Sequence, residues 1–309
     1  MDKMITVIQV IAPIFLAMIL GICARKNNTM QPEVIQGMQH FVVQFCLPCL
    51  IFNSCLTADV TVQVLGSMVL IPPLLLAGTL WAFRVRKAQF PYFNFPQLFS
   101  CKETGMMGIP LFMILFGADQ AYRMGMLDLA QAVIAYPVLA ILGAGSDSET
   151  SAKAVVKRML SSPLIILSLV GITLNVTGIW DWVEGIGLSG IVTQSVSFVA
   201  QPVSAVMLFC VGYNFNLSGD NKKEIFWITA IHVSVFVTIG LILQALLFLV
   251  PNVDALTRWA ALLYCTLPAS YLASSFGRKE EESVMASGVC SLTTLFCLAG
   301  FCIMAAVVA

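Results

Sequence analysis

The sequence predicts an all-α polytopic membrane protein: ten transmembrane helices forming a 5+5 inverted repeat, with broken, crossing helices 4 and 9. Three observations lead there. Apolar runs of about 20 residues, the length a helix needs to cross the hydrocarbon core, recur along the 309-residue chain. Hydrophobic residues make up 59% of the chain and charged residues 10%, against about 25% charged in a soluble domain. Such a chain cannot cover a water-facing surface, and the bilayer is its natural solvent. Finally, Lys and Arg gather in alternate connections, as expected of a chain that threads the membrane repeatedly.

The predicted spans are 4–24, 34–57, 60–83, 94–117, 121–145, 158–179, 189–213, 224–250, 256–276 and 283–308. The first run starts almost at Met1 and ends at Arg25-Lys26 without a small-residue cleavage site, so it reads as a span rather than a signal peptide. Connections after the odd-numbered spans hold Arg25, Lys26, Arg84, Arg86, Lys87, Lys153, Lys157, Arg158, Lys222, Lys223, Arg278 and Lys279. The opposite side holds only Lys3, Arg123 and Arg258. Because Lys and Arg resist translocation, the richer side is cytoplasmic. The chain is therefore expected as a multi-pass protein of the cell (inner or plasma) membrane with both termini non-cytoplasmic.

Five spans fall on either side of the polar stretch Gly145–Lys153. An odd number per half turns the second half upside down, an arrangement used by many secondary transporters. The expected units are thus residues 1–150 and 151–309, with scaffold and transport domains each built from both. Proline placement agrees: Pro13, Pro48 and Pro110 in spans 1, 2 and 4 correspond to Pro163, Pro202 and Pro268 in spans 6, 7 and 9.

Spans 4 and 9 carry the chemistry. Span 4 reads Cys101-Lys102-Glu103-Thr104-Gly105-Met106-Met107-Gly108-Ile109-Pro110-Leu111, and span 9 reads Tyr264-Cys265-Thr266-Leu267-Pro268-Ala269-Ser270. Proline removes a donor and clashes with the preceding turn, while glycine lowers the cost of unwinding. Backbone broken at membrane depth is tolerated only where it lines a cavity or is buried in protein. If each second half-helix begins after its proline, two positive helix ends meet at the midplane and favour an anion there. The alternative is a pair of ordinary proline kinks.

Each ionised residue near mid-membrane costs about 2.5–3.5 kcal/mol on insertion scales, which marks such residues as functional. Lys102 is read as a carboxylate ligand and Glu103 as a proton or cation site, unless both snorkel to the cytoplasmic surface. Asp128 in span 5 is the second ion-coupling candidate. Thr104, Gly105, Gly108, Ile109, Pro110, Asn53, Thr266, Pro268 and Ser270 complete the expected substrate site. His232 stands alone and reads as structural, as does the Cys46-Leu47-Pro48-Cys49 pair within an apolar span.

Acids and bases balance at 16 each, so no bulk charge points to nucleic acid. The chain has no GxxxxGK[ST], HExxH or GxSxG run. The expected partners are a small carboxylate and the lipid bilayer. No cofactor or metal is expected beyond a coupling proton or sodium ion. Secondary transport leads, with a membrane-embedded receptor on a transporter fold, or an intramembrane enzyme, as the other classes.

Gly105-Met106-Met107-Gly108-Ile109-Pro110-Leu111 followed by Phe116-Gly117 resembles the auxin efflux carrier family, which includes plant PIN-type carriers and bacterial organic-acid permeases. Phe45–Phe52, Ser161–Ile165, Gly171–Asn175, Gln201–Gly212, Leu267–Ala269 and Ser291–Thr294 are similar to its other spans. Glu103 stands where plant carriers have Asn, and the long central loop is missing, so a bacterial-type permease for malate or malonate fits better than an auxin carrier. The resemblance implies a fold related to bile-acid/sodium symporters, a scaffold domain beside a transport domain, a binding site where spans 4 and 9 cross, and a homodimer.

Overall fold

The computed structural model describes residues 2–58, 62–90, 92, 94–143, 157, 161–217, 222–271, 273 and 279–308. The Gly145–Lys153 boundary between the two halves lies outside them. Among the described residues every regular element is helical, apart from one isolated β-bridge.

Helix α1 (Asp2–Lys26) ends on Arg25 and Lys26, cations placed at the negative end of the helix dipole. Proline at the first turn opens α2 (Pro32–Phe41), where its missing donor costs nothing. A π turn, Val42–Cys46, leads into α3 (Leu47–Leu56), whose second residue is Pro48. The wider turn gives the proline ring room that an α-helical carbonyl four residues back would deny it. Next come α4 (Val62–Ala88), the short α5 (Gln97–Ser100), a second π turn (Thr104–Gly108) running into α6 (Ile109–Phe116), and α7 (Ala121–Gly143).

The second half begins with α8 (Pro163–Val176), which bends by 72° into α9 (Ile179–Gly185). The left-handed φ of 72° at Gly178 makes that bend accessible. Helices α10 (Ser189–Ala200) and α11 (Val203–Asn214) are separated by a turn at Gln201-Pro202. They are followed by α12 (Lys222–Leu249), α13 (Ala255–Thr266) and α14 (Glu280–Val308). Helix α13 is capped by Asp254, whose carboxylate accepts the Thr257 amide at 2.7 Å.

Among the described residues six segments are long and apolar enough to cross a membrane: Val7–Lys26, Pro32–Leu56, Val69–Arg86, Ser189–Asn214, Lys222–Leu249 and Glu280–Val308. Counted as one span, the bent α8–α9 pair is a seventh. They correspond to predicted spans 1, 2, 3, 7, 8, 10 and 6. Span 4 differs from expectation, because only Thr104–Phe116 forms an apolar helix of any length. In span 9, α13 stops at Thr266. Span 5 becomes the 23-residue α7, which carries Arg123, Asp128 and Gln131.

Helices α1 and α11 lie along each other, as do α3 and α8, with α10 against α3. Helix α4 packs on α7, and α12 on α13 and α14. Gly21 and Gly212 allow the closest approach: a Cβ on Gly212 would stand 2.1 Å from Met18 O, and one on Gly21 2.1 Å from Phe209 O. Backbone contact of this kind replaces the hydrophobic drive that lipid cannot supply. The Cys46 and Cys49 thiols are free, as are the other eight.

Candidate functional site

The two interruptions lie against each other. Lys102 and Ala269 form the antiparallel bridge, and the Glu103 amide donates to Pro268 O at 3.0 Å. The Glu103 carboxylate accepts the Tyr271 amide at 2.8 Å, so main chain and side chain of one residue tie both breaks together. The Ala269 amide donates to Thr293 Oγ1 of α14 at 3.2 Å.

One glutamine of α7 organises the other side of the crossing. Gln131 Oε1 accepts from the Lys102 amide at 2.8 Å and from the Tyr264 hydroxyl at 2.9 Å. Its Nε2 faces Lys102 O at 3.1 Å, Thr104 Oγ1 at 2.7 Å and Asp128 Oδ1 at 2.7 Å. A side-chain amide here replaces the strand or helix partner that interrupted backbone has lost, which buried peptide groups require.

The break in the first segment is not where proline placement suggested. It covers Cys101–Glu103, and the following helix starts at Thr104, ahead of Pro110. Pro110 is instead the second residue of α6, behind the π turn that accommodates it. In the second segment Pro268 does lie within the break. The expected pair of bare helix ends also changes. The Tyr271 amide is occupied by Glu103, whereas the Gly105 and Met106 amides at the start of the 104–116 helix find no backbone acceptor among the described residues.

A cavity of about 820 Å³ adjoins the crossing. Glu103, Thr104, Gly105, Met106, Asp128 and Ser270 line it, and so do Arg25, Pro32 and Ser162, at helix ends next to predicted cytoplasmic connections. Gln39 lines it as well, with an Nε2 that has no partner among the described residues.

Residues 6–300 match the family model for membrane transport proteins. The chain belongs to this family, the auxin efflux carriers. It is a multi-pass membrane transport protein, as the family and its apolar helices together indicate. Among curated proteins none matches this carrier.

The carrier gathers some of the predicted site residues and disperses others. Glu103, Thr104, Gly105, Ser270 and Asp128 share the cavity. Lys102 also borders it, yet its ammonium lies 3.6 Å from the centroid of the Phe236 ring of α12, a residue outside the cavity wall. Adjacent residues point in different directions, and here Glu103 takes the cavity while Lys102 takes a cation–π seat. Gly108 is a packing position, since a Cβ there would stand 2.7 Å from Leu267 Cδ1. Ile109 and Pro110 are buried behind it. Asn53 bonds Ser197 Oγ at 3.2 Å between α3 and α10, and Thr266 bonds Leu263 O at 2.8 Å. Neither borders the cavity. His232 lies outside the cavity wall, its Nε2 donating to Leu98 O at 3.1 Å.

Sequence reasoning passed over Gln131, Tyr271 and Gln39 in this carrier. A glutamine in an apolar run reads as a helix–helix bond, and its spacing from Asp128, three residues and so one face, was the available signal. Tyr271 contributes a backbone amide, for which its side chain gives no hint.

Proposed function

We propose that this carrier is a secondary transporter that moves a small organic anion, a mono- or dicarboxylate such as malate or malonate, across the cytoplasmic membrane by alternating access. The meeting of two interrupted segments at the wall of one cavity is the observation that carries this reading. Volumes of about 300–1,000 Å³ are usual for small-molecule sites. Donors around it that have no partner among the described residues, the Gly105 and Met106 amides and Gln39 Nε2, suit carboxylate oxygens. Thr104 and Ser270 add hydroxyls.

In the same reading the chain crosses the bilayer ten times as two inverted halves. Spans 4 and 9 are the interrupted pair, and α7 supplies span 5. The group containing α1, α3, α8, α10 and α11 is the scaffold. The group containing α4 to α7 and α12 to α14 is the moving transport domain. The cavity then faces the cytoplasm, because Arg25 lies in a connection rich in Lys and Arg.

Counterflow in proteoliposomes tests the reading. Vesicles loaded with unlabelled malate or malonate should take up the labelled compound, and protein-free vesicles should not. Binding without uptake would point to a receptor, and recovery of a chemically altered solute to an enzyme. Either result would refute transport.

A further inference from the structure

Glu103 carries a carboxyl group that, at 8% exposure, is buried beside the cavity. Its environment is acidic or neutral on every side. From its own segment come Cys101 and Lys102, the latter turned to Phe236. The second break contributes the Tyr271 amide and the Ser270 side chain, which reaches the carboxylate. Asp128 faces it from α7 and Cys290 from α14. Arg25, the cation in the cavity wall, donates instead to Phe215 O at 3.1 Å and Tyr213 O at 3.5 Å, beyond the end of α11 and at its last turn. The phenols of Tyr136, Tyr213 and Tyr271 complete the titratable groups of the wall.

A carboxylate substrate therefore joins two carboxyl groups already in place, while the Lys102 ammonium is turned to Phe236 and Arg25 Nη1 is engaged by main-chain carbonyls. Like charges sharing a desolvated site are relieved when one of the carboxyl groups takes a proton. Glu103 is the better placed to do so. Asp128 keeps its donors from Gln131 and Thr104, both within the same helix and its neighbour. Glu103 takes its donors, the Tyr271 amide and the Ser270 side chain, from the second break, while its own amide bonds Pro268 O, so a change of its charge is felt by both interrupted segments. A protonated Glu103 still accepts the Tyr271 amide through its carbonyl oxygen, so the crossing survives the change of charge.

We propose that Glu103 is the proton-coupling residue: it takes up one proton as one substrate anion binds, and the two cross the membrane together. This rests on the organic-anion reading above. The proton comes from water on the side to which the cavity opens and is released with the substrate on the other side.

The test uses full-length carrier in proteoliposomes, with the membrane potential clamped at zero by potassium and valinomycin. The probe is labelled malate or malonate, whichever is carried in counterflow. Under one unit of pH difference, one proton per substrate sustains accumulation of about tenfold, with proton movement reported by a trapped dye. Glu103→Gln, which keeps the acceptor for Tyr271, should exchange substrate in counterflow yet show no accumulation. Asp181→Asn, exposed on α9 and outside the cavity wall, should still accumulate it. Wild-type flux without protons would overturn this proposal alone, as would a Glu103→Gln carrier that accumulates like wild type. Wild-type carrier that moves neither carboxylate under any gradient would overturn the organic-anion reading as well. Wild-type flux without protons overturns the proposal even if the Glu103→Gln variant does not fold.

Discussion

Gln131→Glu is a nearly isosteric change at the glutamine that holds the crossing. One oxygen remains to accept from the Lys102 amide and the Tyr264 hydroxyl. The amide nitrogen, which faces Lys102 O, Thr104 Oγ1 and Asp128 Oδ1, becomes a second oxygen. Its two hydrogens serve three acceptors, so two full bonds are at stake. A bond to a charged acceptor contributes about 1.5–3 kcal/mol and a neutral one about 0.5–1.5 kcal/mol, which sums to roughly 2–4.5 kcal/mol before any repulsion from Asp128. For a chain of this size the melting temperature falls by about 2 °C per kcal/mol, so the variant should melt roughly 4–9 °C below wild type at pH 8. Acid should narrow the gap, because protonating the introduced carboxyl restores a donor toward Asp128 or Thr104. Tryptophan fluorescence during heating in detergent, at pH 8 and pH 5.5, measures both effects. Equal melting temperatures at pH 8 would refute the role of Gln131 as clamp, and a gap that widens in acid would refute the donor argument.

Gly212→Ala should separate α1 from α11, because the new methyl meets Met18 O at 2.1 Å. The expected loss is about 1–3 kcal/mol by overpacking, read from the same melts, with Gly37→Ala, which meets nothing within 4 Å, as the unaffected control. The Arg123–Asp254 ion pair, 2.7 Å long, ties the start of α7 to the start of α13. Burial pushes the Asp254 carboxyl up, but bonds from the Thr257 hydroxyl and amide, together with the Arg123 guanidinium, outweigh it and hold the carboxyl below its ordinary value. A folded value under the unfolded one means that the stabilisation is complete at neutral pH. It fades as pH falls below about 4. Wild type should therefore lose thermal stability below that pH more steeply than Asp254→Asn, and parallel curves would remove the pair from the acid response.

Why some of this was legible in the sequence and some was not comes down to the range of each interaction. Proline, glycine and charge in an apolar run act on their own backbone and solvation, so the interruption of span 4 and its meeting with span 9 could be anticipated. The location of the break could not. Proline placement put it near Pro110, but the π turn at Thr104–Gly108 removes the clash that would have broken the helix there. What breaks the chain earlier, at Cys101–Glu103, is tertiary: the Lys102 peptide trades helical partners for Gln131, and the Glu103 amide for Pro268 O. Neither partner is within a helical turn in sequence.

The same distinction explains the reversal between Lys102 and Glu103. Adjacent positions diverge in helical and extended backbone alike, which sequence supplies, but the direction each one takes depends on what lies across the interface. Phe236 offers the ammonium a π face, and the Tyr271 amide offers the carboxylate a donor. Exchanging the two side chains would set a cation against an amide hydrogen and an anion against the negative face of a ring, unfavourable at both places. The order Lys102-Glu103 is thus fixed by its two partners. The cavity receives the acid, and any anion it binds must come to terms with that charge.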